Sequence, residues 1–459
     1  MRLLYNSLIL FIVFATSSCS LDDLFDVKSN QNISTPTTVE DLQALLDNPE
    51  INTQGPSLRE ISTDYLFIKD ENSRQLNNVE RLAYTWTKDG PILNVGEWQQ
   101  ASALGGYGKV YIANLALEVL EKNKREEDPV FYDNVKGQAL FLRGYTFYDL
   151  AQTFVPFYNE ETKSLKLGLP IKLESDISVR SVRSTVQETY ERILSDLQDA
   201  LPLLPDLPQY KTRASKWAVY ALLARCYLII GDYTKASDNA DKAIRISGKL
   251  ISYGDLNYSD NLNPFIGFND EIIYYNRALS YPGTLYSRLN IDSVFYKSYD
   301  DSDLRKSVFF QVDATTGNIL YKGCYSGRGF ETFYCGLATD ELYLIRAECN
   351  ARKGNIDVAM KDINFLLKNR WLGTFTDMTA GNTEEALNIV LRERKKELVF
   401  RLVRWSDLRR LNKERGFEQT FSRNVNGNVF TLKPNSYQYT FPFPDDVIQM
   451  SGMQQNPGW

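Results

Sequence analysis

Apolar positions recur at helical spacing along most of the chain, and the gaps between those runs divide it. Thr37-Thr38-Val39-Glu40 precedes an apolar run and reads as a helix start, with the helix ending by Pro49. Val110, Ala113, Leu117 and Leu120 form one stripe of a helix predicted over about Tyr107 to Lys122. Further helices are predicted over about Tyr132 to Thr153, stopping before Pro156, and over about Val186 to Leu201, before Pro202, Pro205 and Pro208.

The clearest pattern is SKWAVYALLARCYLIIGDYTKASDNADKAI, two amphipathic helices with a turn at Gly231-Asp232. Helical hairpins of tetratricopeptide type need small residues where the helices cross and bulky ones where they interlock. With Ala224 at the crossing, Tyr227 falls three positions on and Gly231 seven on. Ala236 and Ala243 then occupy the small positions of the second helix. The same frame fits ELYLIRAECNARKGNIDVAMKDINFLL through Ala347, Gly354 and Ala359. A weaker match, GQALFLRGYTFYDL, puts Gly144 at a crossing with the helix from Val186 as its partner. The hairpins are spaced irregularly, so the predicted fold class is mainly all-α: a tetratricopeptide-like hairpin scaffold with long insertions.

Those insertions, about 52–105 and about 250–335, lack helical period and are rich in Gly, Asn, Asp, Ser and aromatics. Irregular segments on a rigid scaffold are where binding usually resides.

At the start of the chain, Arg2 is followed by a mostly apolar run, Leu3 to Ala15, and by the small residues Thr16, Ser17 and Ser18 before Cys19. This is a signal-peptide pattern, too short to span a bilayer. A cysteine directly after the small residues points to lipoprotein processing, with Cys19 acylated as the first mature residue. The position three before it, usually Leu in such signals, is Thr16. The expected organisation is a signal peptide over 1–18, a lipid-anchored tether over 19–38, and one helical domain over 39–459 with its two insertions. A multiply acylated N-terminus makes a stable anchor.

Composition narrows the function. The 459 residues carry no histidine, a net charge of -6, and 13% aromatics with 28 Tyr and 24 Phe. Without histidine there is no Ser-His-Asp triad, no Cys-His pair and no His-ligated zinc. A carboxylate-pair hydrolase remains possible in principle, but no spacing singles out such a pair, so no enzyme is expected. The acidic balance disfavours a nucleic-acid partner. No cofactor or metal motif stands out. Gly105-Gly106-Tyr107-Gly108-Lys109 fails as a phosphate loop, with Ala103 and Val110 at the wrong places, and reads as a loop opening the next helix. Asp300, Asp301 and Asp303 match no calcium loop and read as a solvated acidic turn. Arg392 to Arg410 reads as a core-packing helix with a charged outer face. Cys226 and Cys349 read as small buried residues, whereas Cys324 and Cys335 flank a Gly-rich loop and could pair across a hairpin.

Several pieces, in order, resemble one family. Ser20-Leu21-Asp22-Asp23 after Cys19 is similar to an acidic surface-export tag, and WQQASALGGYGKVYIANLALEVL to a Trp, Tyr, Ile, Asn helix. GQALFLRGYTFYDLAQTFVPFY, ELYLIRAECNARKGN, ERKKELVFRLVRWSDLRRLN and the terminal FPFPDDVIQMSGMQQNPGW match in turn. Together they resemble the SusD/RagB family of outer-membrane nutrient-binding lipoproteins of Bacteroidetes. The resemblance implies a surface lipoprotein of the outer membrane that acts as a lid on a SusC-like TonB-dependent transporter. It implies an oligosaccharide ligand, or a peptide as in the RagB branch. A protein-only assembly scaffold on the same hairpins is the alternative from a different class.

Sugar binding needs aromatic platforms with amides and carboxylates nearby. The richest local cluster is Tyr84, Trp86, Asp89 and Asn94, with Trp86 the first choice as platform. Tyr281, beside Pro282-Gly283, and Tyr325 in the Gly-rich loop are second candidates. Trp98 reads as packing. Arg404, Trp405, Asp407 and Arg409, like Arg143 and Arg346, read as a buried network that holds the scaffold.

Overall fold

Polar caps and small residues lay out the scaffold. Helix α1 (Val39–Leu46) starts at a capping box in which Thr38 and Asp41 each take the other's backbone N–H. Asn77 and Glu80 do the same for α2 (Asn78–Thr85). Gly105 opens α3 (Gly106–Leu120), and Pro129 is the first residue of α4 (Pro129–Phe154), which ends just before Pro156 as predicted. A third capping box, Thr185 with Glu188, begins α5 (Val186–Ala200). The two clearest hairpins follow as α6 (Lys216–Ile230) with α7 (Tyr233–Ile246) and α8 (Thr339–Arg352) with α9 (Ile356–Lys368). Two more helices, α10 (Thr383–Glu397) and α11 (Arg404–Leu411), complete it. The structure, a computed structural model, describes residues 36–54, 58–98, 104–259, 262–279, 289–327 and 332–459. Cys19 and Tyr281 lie outside them.

The crossings fall where the small residues predicted them. Ala224, Ala236, Ala243, Ala347 and Ala359 are fully buried. A Cβ on Gly144 would sit 3.2 Å from the Asp196 side chain and 3.3 Å from the Ile193 carbonyl of α5, so α4 and α5 touch backbone to backbone there. Gly231 and Gly354 take φ of 90° and 82° at the hairpin turns, a left-handed conformation that favours glycine.

The two insertions are not separate loops. Strand β1 (Thr53–Gln54) pairs in parallel with β3 (Arg277–Leu279), and β2 (Leu66–Ile68) pairs antiparallel with β4 (Leu289–Ile291). Strand β5 (Thr332–Tyr334) closes the three-stranded sheet on the other edge of β3. Segments some 200 residues apart in sequence thus share their backbone hydrogen bonds, and the short helices Leu58–Ile61 and Asp70–Ser73 fill the turns between.

Buried ion pairs then fasten the insertions to the helices. Arg370, just past α9, pairs with Glu271 of the second insertion and Glu397 of α10, both at 2.8 Å. Arg305 reaches Asp303 at 2.7 Å, Glu393 at 2.6 Å and Glu397 at 3.2 Å. The first insertion is held through Asp64, which takes Arg404 at 2.8 Å and Lys395 at 2.7 Å, and through Arg59, which pairs with Asp149 of α4.

Two expectations are corrected by this. The stretch from Arg392 to Arg410 is not one helix with its charges outward. It breaks between Leu398 and Val403, where Phe400 and Leu402 take φ of 55° and 59°. Arg394, Arg401, Arg404 and Arg410 all point into the core, because Glu341, Asp340, Asp64 and Glu348 wait there, whereas Arg409 is buried on the carbonyls of Gln152 and Val155. Nor is the 300–303 turn wholly solvated, since Asp303 is buried under Arg305. Asp407 lies in the same network, between Arg394 and Arg410 at 2.9 Å each, while Trp405 is buried beside it against Tyr439 and Phe441. Arg143 pairs with Asp196, and Arg346 with Asp362 and Asp241, as expected of scaffold residues.

Arg305→Met leaves the Asp303 carboxylate buried without its cation and takes the shortest of three cationic contacts from Glu393. The variant is expected to lose about 3–5 kcal/mol of stability, measured by urea unfolding followed by circular dichroism. A loss under about 1 kcal/mol contradicts the role given to this network.

Candidate functional site

The rings chosen from the sequence are packed inside. Trp86 caps α2 in the left-handed conformation, φ 57°, and is 1% exposed. Its indole N–H donates to the Ser62 carbonyl at 3.2 Å. The Tyr84 hydroxyl accepts from Ile68 N at 2.7 Å and donates to Ile68 O at 3.2 Å. Between the two rings sits the Arg423 guanidinium, 4.2 Å from the Tyr84 ring centre and 4.5 Å from Trp86. A cation placed there by the far end of the chain occupies the faces a sugar would need. As platforms, Trp86 and Tyr84 are therefore corrected. Asp89 and Asn94 are exposed, with Asp89 near Arg81 at 3.5 Å.

Tyr325 is also buried. Its hydroxyl donates to Glu271 at 2.7 Å and meets the Tyr253 hydroxyl at 2.8 Å, with the Arg401 guanidinium 4.6 Å from its ring. It belongs to the ion network and is likewise corrected. Cys324 and Cys335 are both buried free thiols, so the hairpin disulfide is not formed. Trp98 packs against Tyr107, Phe154 and Phe443, as expected.

The second insertion instead exposes a ring that the sequence reading passed over. Phe268 is 52% exposed and takes φ of 62°, which a bulky side chain rarely adopts. One of its faces lies on Tyr275, with ring centres 4.6 Å apart and planes tilted by 38°. Tyr275 is fixed below, its hydroxyl donating to Ser326 O at 3.2 Å and its backbone N–H to Lys211 O at 2.6 Å. Ile266 and Leu262 are exposed beside it at 73% and 66%, and the adjacent Asn269 leaves its amide Nδ2 without a partner. Lys211, next to the exposed Tyr210, donates to Asn269 O. The only sequence signal was the run Pro264-Phe265-Ile266-Gly267-Phe268-Asn269-Asp270, apolar residues set in turn chemistry.

This face is an aromatic shelf, an exposed ring supported from below by a fixed second ring. It has the parts for stacking a flat ligand. The carboxylates of the buried network are under arginines and closed to solvent, which suits a staple and not an acid–base pair.

A family of SusD-like proteins described as starch-binding and associating with the outer membrane matches residues 21–228, and the SusD family matches residues 339–459. The chain belongs to the SusD/RagB family. A SusD-like protein P2 of Formosa agariphila is 26% identical over 79% of this chain and 80% of its own. Among solved structures, a putative sugar binding protein from Bacteroides vulgatus covers 93% of this chain and 100% of its own at a TM-score of 0.74 and 22% identity. A SusD superfamily protein from Bacteroides thetaiotaomicron covers 92% and 100% at a TM-score of 0.70 and 21% identity. These likenesses show the mainly helical SusD fold. Among the described residues no helix is long and apolar enough to cross a membrane.

In this SusD-like chain the absence of histidine leaves buried carboxylates to titrate near neutrality. Glu60 is 1% exposed, accepts from Leu402 N at 2.9 Å with one oxygen, and has no partner on the other. Burial pushes its carboxyl up from 4.5 to about 8, against the pull of that hydrogen bond and of Arg59. Burial raises Glu271 as well, with Arg370 opposing. Between its unfolded and folded values Glu60 is protonated only in the fold, so its contribution is full below about 4.5 and is lost as pH rises through about 8. The melting temperature is expected to fall between pH 5 and pH 8, and Glu60→Gln to flatten that fall, as read by scanning calorimetry. A profile that rises over this range, or is unchanged in the variant, contradicts the assignment.

Proposed function

We propose that this protein binds a saccharide nutrient at the cell surface and passes it to a SusC-like TonB-dependent transporter, over which it acts as a lid. The ligand-binding face is the Phe268 shelf, and the protein performs no catalysis. The observation that carries this reading is the exposed ring of Phe268, held at a strained φ upon a fixed Tyr275. Strain that packing does not require is characteristic of ligand-contact positions. Membership of a family of outer-membrane starch-associated proteins supports the saccharide and the surface location. The signal-peptide pattern ending at Cys19, with Asp22-Asp23 behind it, supports a lipid anchor on the outer face. Residues 19–38 then serve as the leash and the rest as one binding body.

Phe268→Gly removes the ring and relieves the backbone. Its affinity for oligosaccharides, tested on a panel beginning with maltooligosaccharides, is expected to fall about tenfold in isothermal titration, with no loss of melting temperature. Wild-type binding of glycans that persists unchanged in the variant moves the site elsewhere. Binding of short peptides and of no glycan replaces the saccharide reading.

Cys19→Ala is expected to shift the protein from the membrane fraction to the soluble fraction. A variant that still pellets with membranes in high salt refutes the lipid anchor.

A further inference from the structure

A cleft of about 470 Å³ lies on another part of the surface, between the end of α4, the segment 165–167, α11 and the C-terminal segment. Its size suits a ligand of one or two sugar rings. Its charge is one-sided. Arg409, Lys166 and Lys413 line it, and no Asp or Glu does.

Arg409 is the unusual member. It is 3% exposed and, among the described residues, forms no ion pair. Two of its N–H groups hold the carbonyls of Gln152, at 2.6 Å, and Val155, while Nε has no partner. Most other buried arginines of this protein have a carboxylate within reach. Arg183, close behind the cleft, is another without one, and it bonds only to Gly168 O, Leu167 O, Gln454 O and Asn456 Oδ1. A buried guanidinium without an anion is costly, and Arg409 is pushed down to about 10 by that burial. The Lys413 ammonium is held below its usual range by burial and by the charges of Lys166 and Arg409. Three cations that repel one another at one cleft, without a protein counter-charge, are relieved by an anion from outside.

The walls fit a ring. Phe157 and Tyr437 line the cleft, and Tyr437, 49% exposed, is braced edge-on by Trp459 at 5.0 Å. Trp459 is in turn fixed by its indole N–H to Thr440 O at 2.7 Å.

We propose that this cleft is a second binding site, for an anionic sugar ring. Lys166 and Lys413 hold its carboxylate or sulfate above Arg409, and Tyr437 and Phe157 contact the ring. The sugar part of the assignment rests on the saccharide-binding reading of the chain, whereas the anionic part rests on the cleft alone.

The test is isothermal titration of the full chain in detergent with glucuronate, glucose 6-sulfate, glucose and inorganic sulfate. Both anionic sugars are expected to bind at least about tenfold more tightly than glucose, and to weaken as salt is raised. Lys166→Gln with Lys413→Gln, both exposed, is expected to lose about tenfold for both anionic sugars. Tyr437→Ala is expected to weaken the sugars and spare inorganic sulfate. Phe268→Gly, which removes the shelf, is expected to keep the preference for the two anionic sugars over glucose and its dependence on Lys166 and Lys413, which separates this site from the shelf. The proposal is overturned if glucuronate and glucose 6-sulfate bind no better than glucose, or if the double lysine variant binds them as wild type does. Equal binding of inorganic sulfate and anionic sugars, untouched by Tyr437→Ala, leaves an adventitious ion only and overturns the sugar assignment. Loss of anionic-sugar binding in Phe268→Gly overturns the claim of a second site.

Discussion

The arginine–carboxylate network between the insertions and the helices is what the rest of the structure depends on. The insertions contain few regular elements, and strands of two or three residues position little by themselves. Charges buried at Arg305, Arg370, Glu271 and Glu397 impose a much sharper condition. Moving any one partner out of register leaves an ion in low dielectric without its counterpart. Arginine's planar fork adds direction to that constraint, since it meets two carboxylates only at set angles. The second insertion therefore has one seat on α10 and the end of α9. The first insertion, paired to it through β1 with β3 and β2 with β4, is carried along.

The same network explains why one part of the fold was readable in sequence and another was not. Hairpin helices announce themselves locally, because Ala224, Gly231, Ala236, Ala347 and Gly354 stand at spacings that only close helix contact and a left-handed turn require. The run around Arg394 to Arg410 carries no such local sign. Periodicity treats arginine as outward-facing, and the residues that turn these side chains inward, Asp64, Asp340, Glu341 and Glu348, come from elsewhere in the chain. Long-range charge pairing is invisible to a window of a dozen residues.

Aromatic sites fail to show for a related reason. Trp86 and Tyr84 sit among polar neighbours in sequence, as a binding platform would, yet Arg423 arrives from a strand pair near the C-terminus and fills the space between them. Tyr325 stands in sequence beside a glycine-rich loop, but Glu271 accepts from its hydroxyl in the core. Phe268 was missed because what marks it is a backbone angle and an exposure, neither of which composition carries. The lipid-attachment pattern proposed at Cys19 lies in local residue order alone, and for that reason sequence is the place to read it.

Among the described residues two phenylalanines take a left-handed backbone, and the contrast between them decides what each means. Phe400, at φ 55°, is fully buried, stacks on Phe333 at 5.3 Å and meets Tyr321 at 4.5 Å. Its strain, on the order of 1–3 kcal/mol, is offset by burying a whole ring, so packing accounts for it. Phe268 has the same strain at φ 62° with half its surface in water and one neighbouring ring. Relaxing it would cost the fold little. A ring kept there against its own backbone, on a tyrosine locked to Ser326 and Lys211, loses little further freedom when a ligand stacks on its open face. That pre-organisation lowers the entropy cost of binding. A ligand stacking on this face, as proposed, accounts for strain that packing does not require.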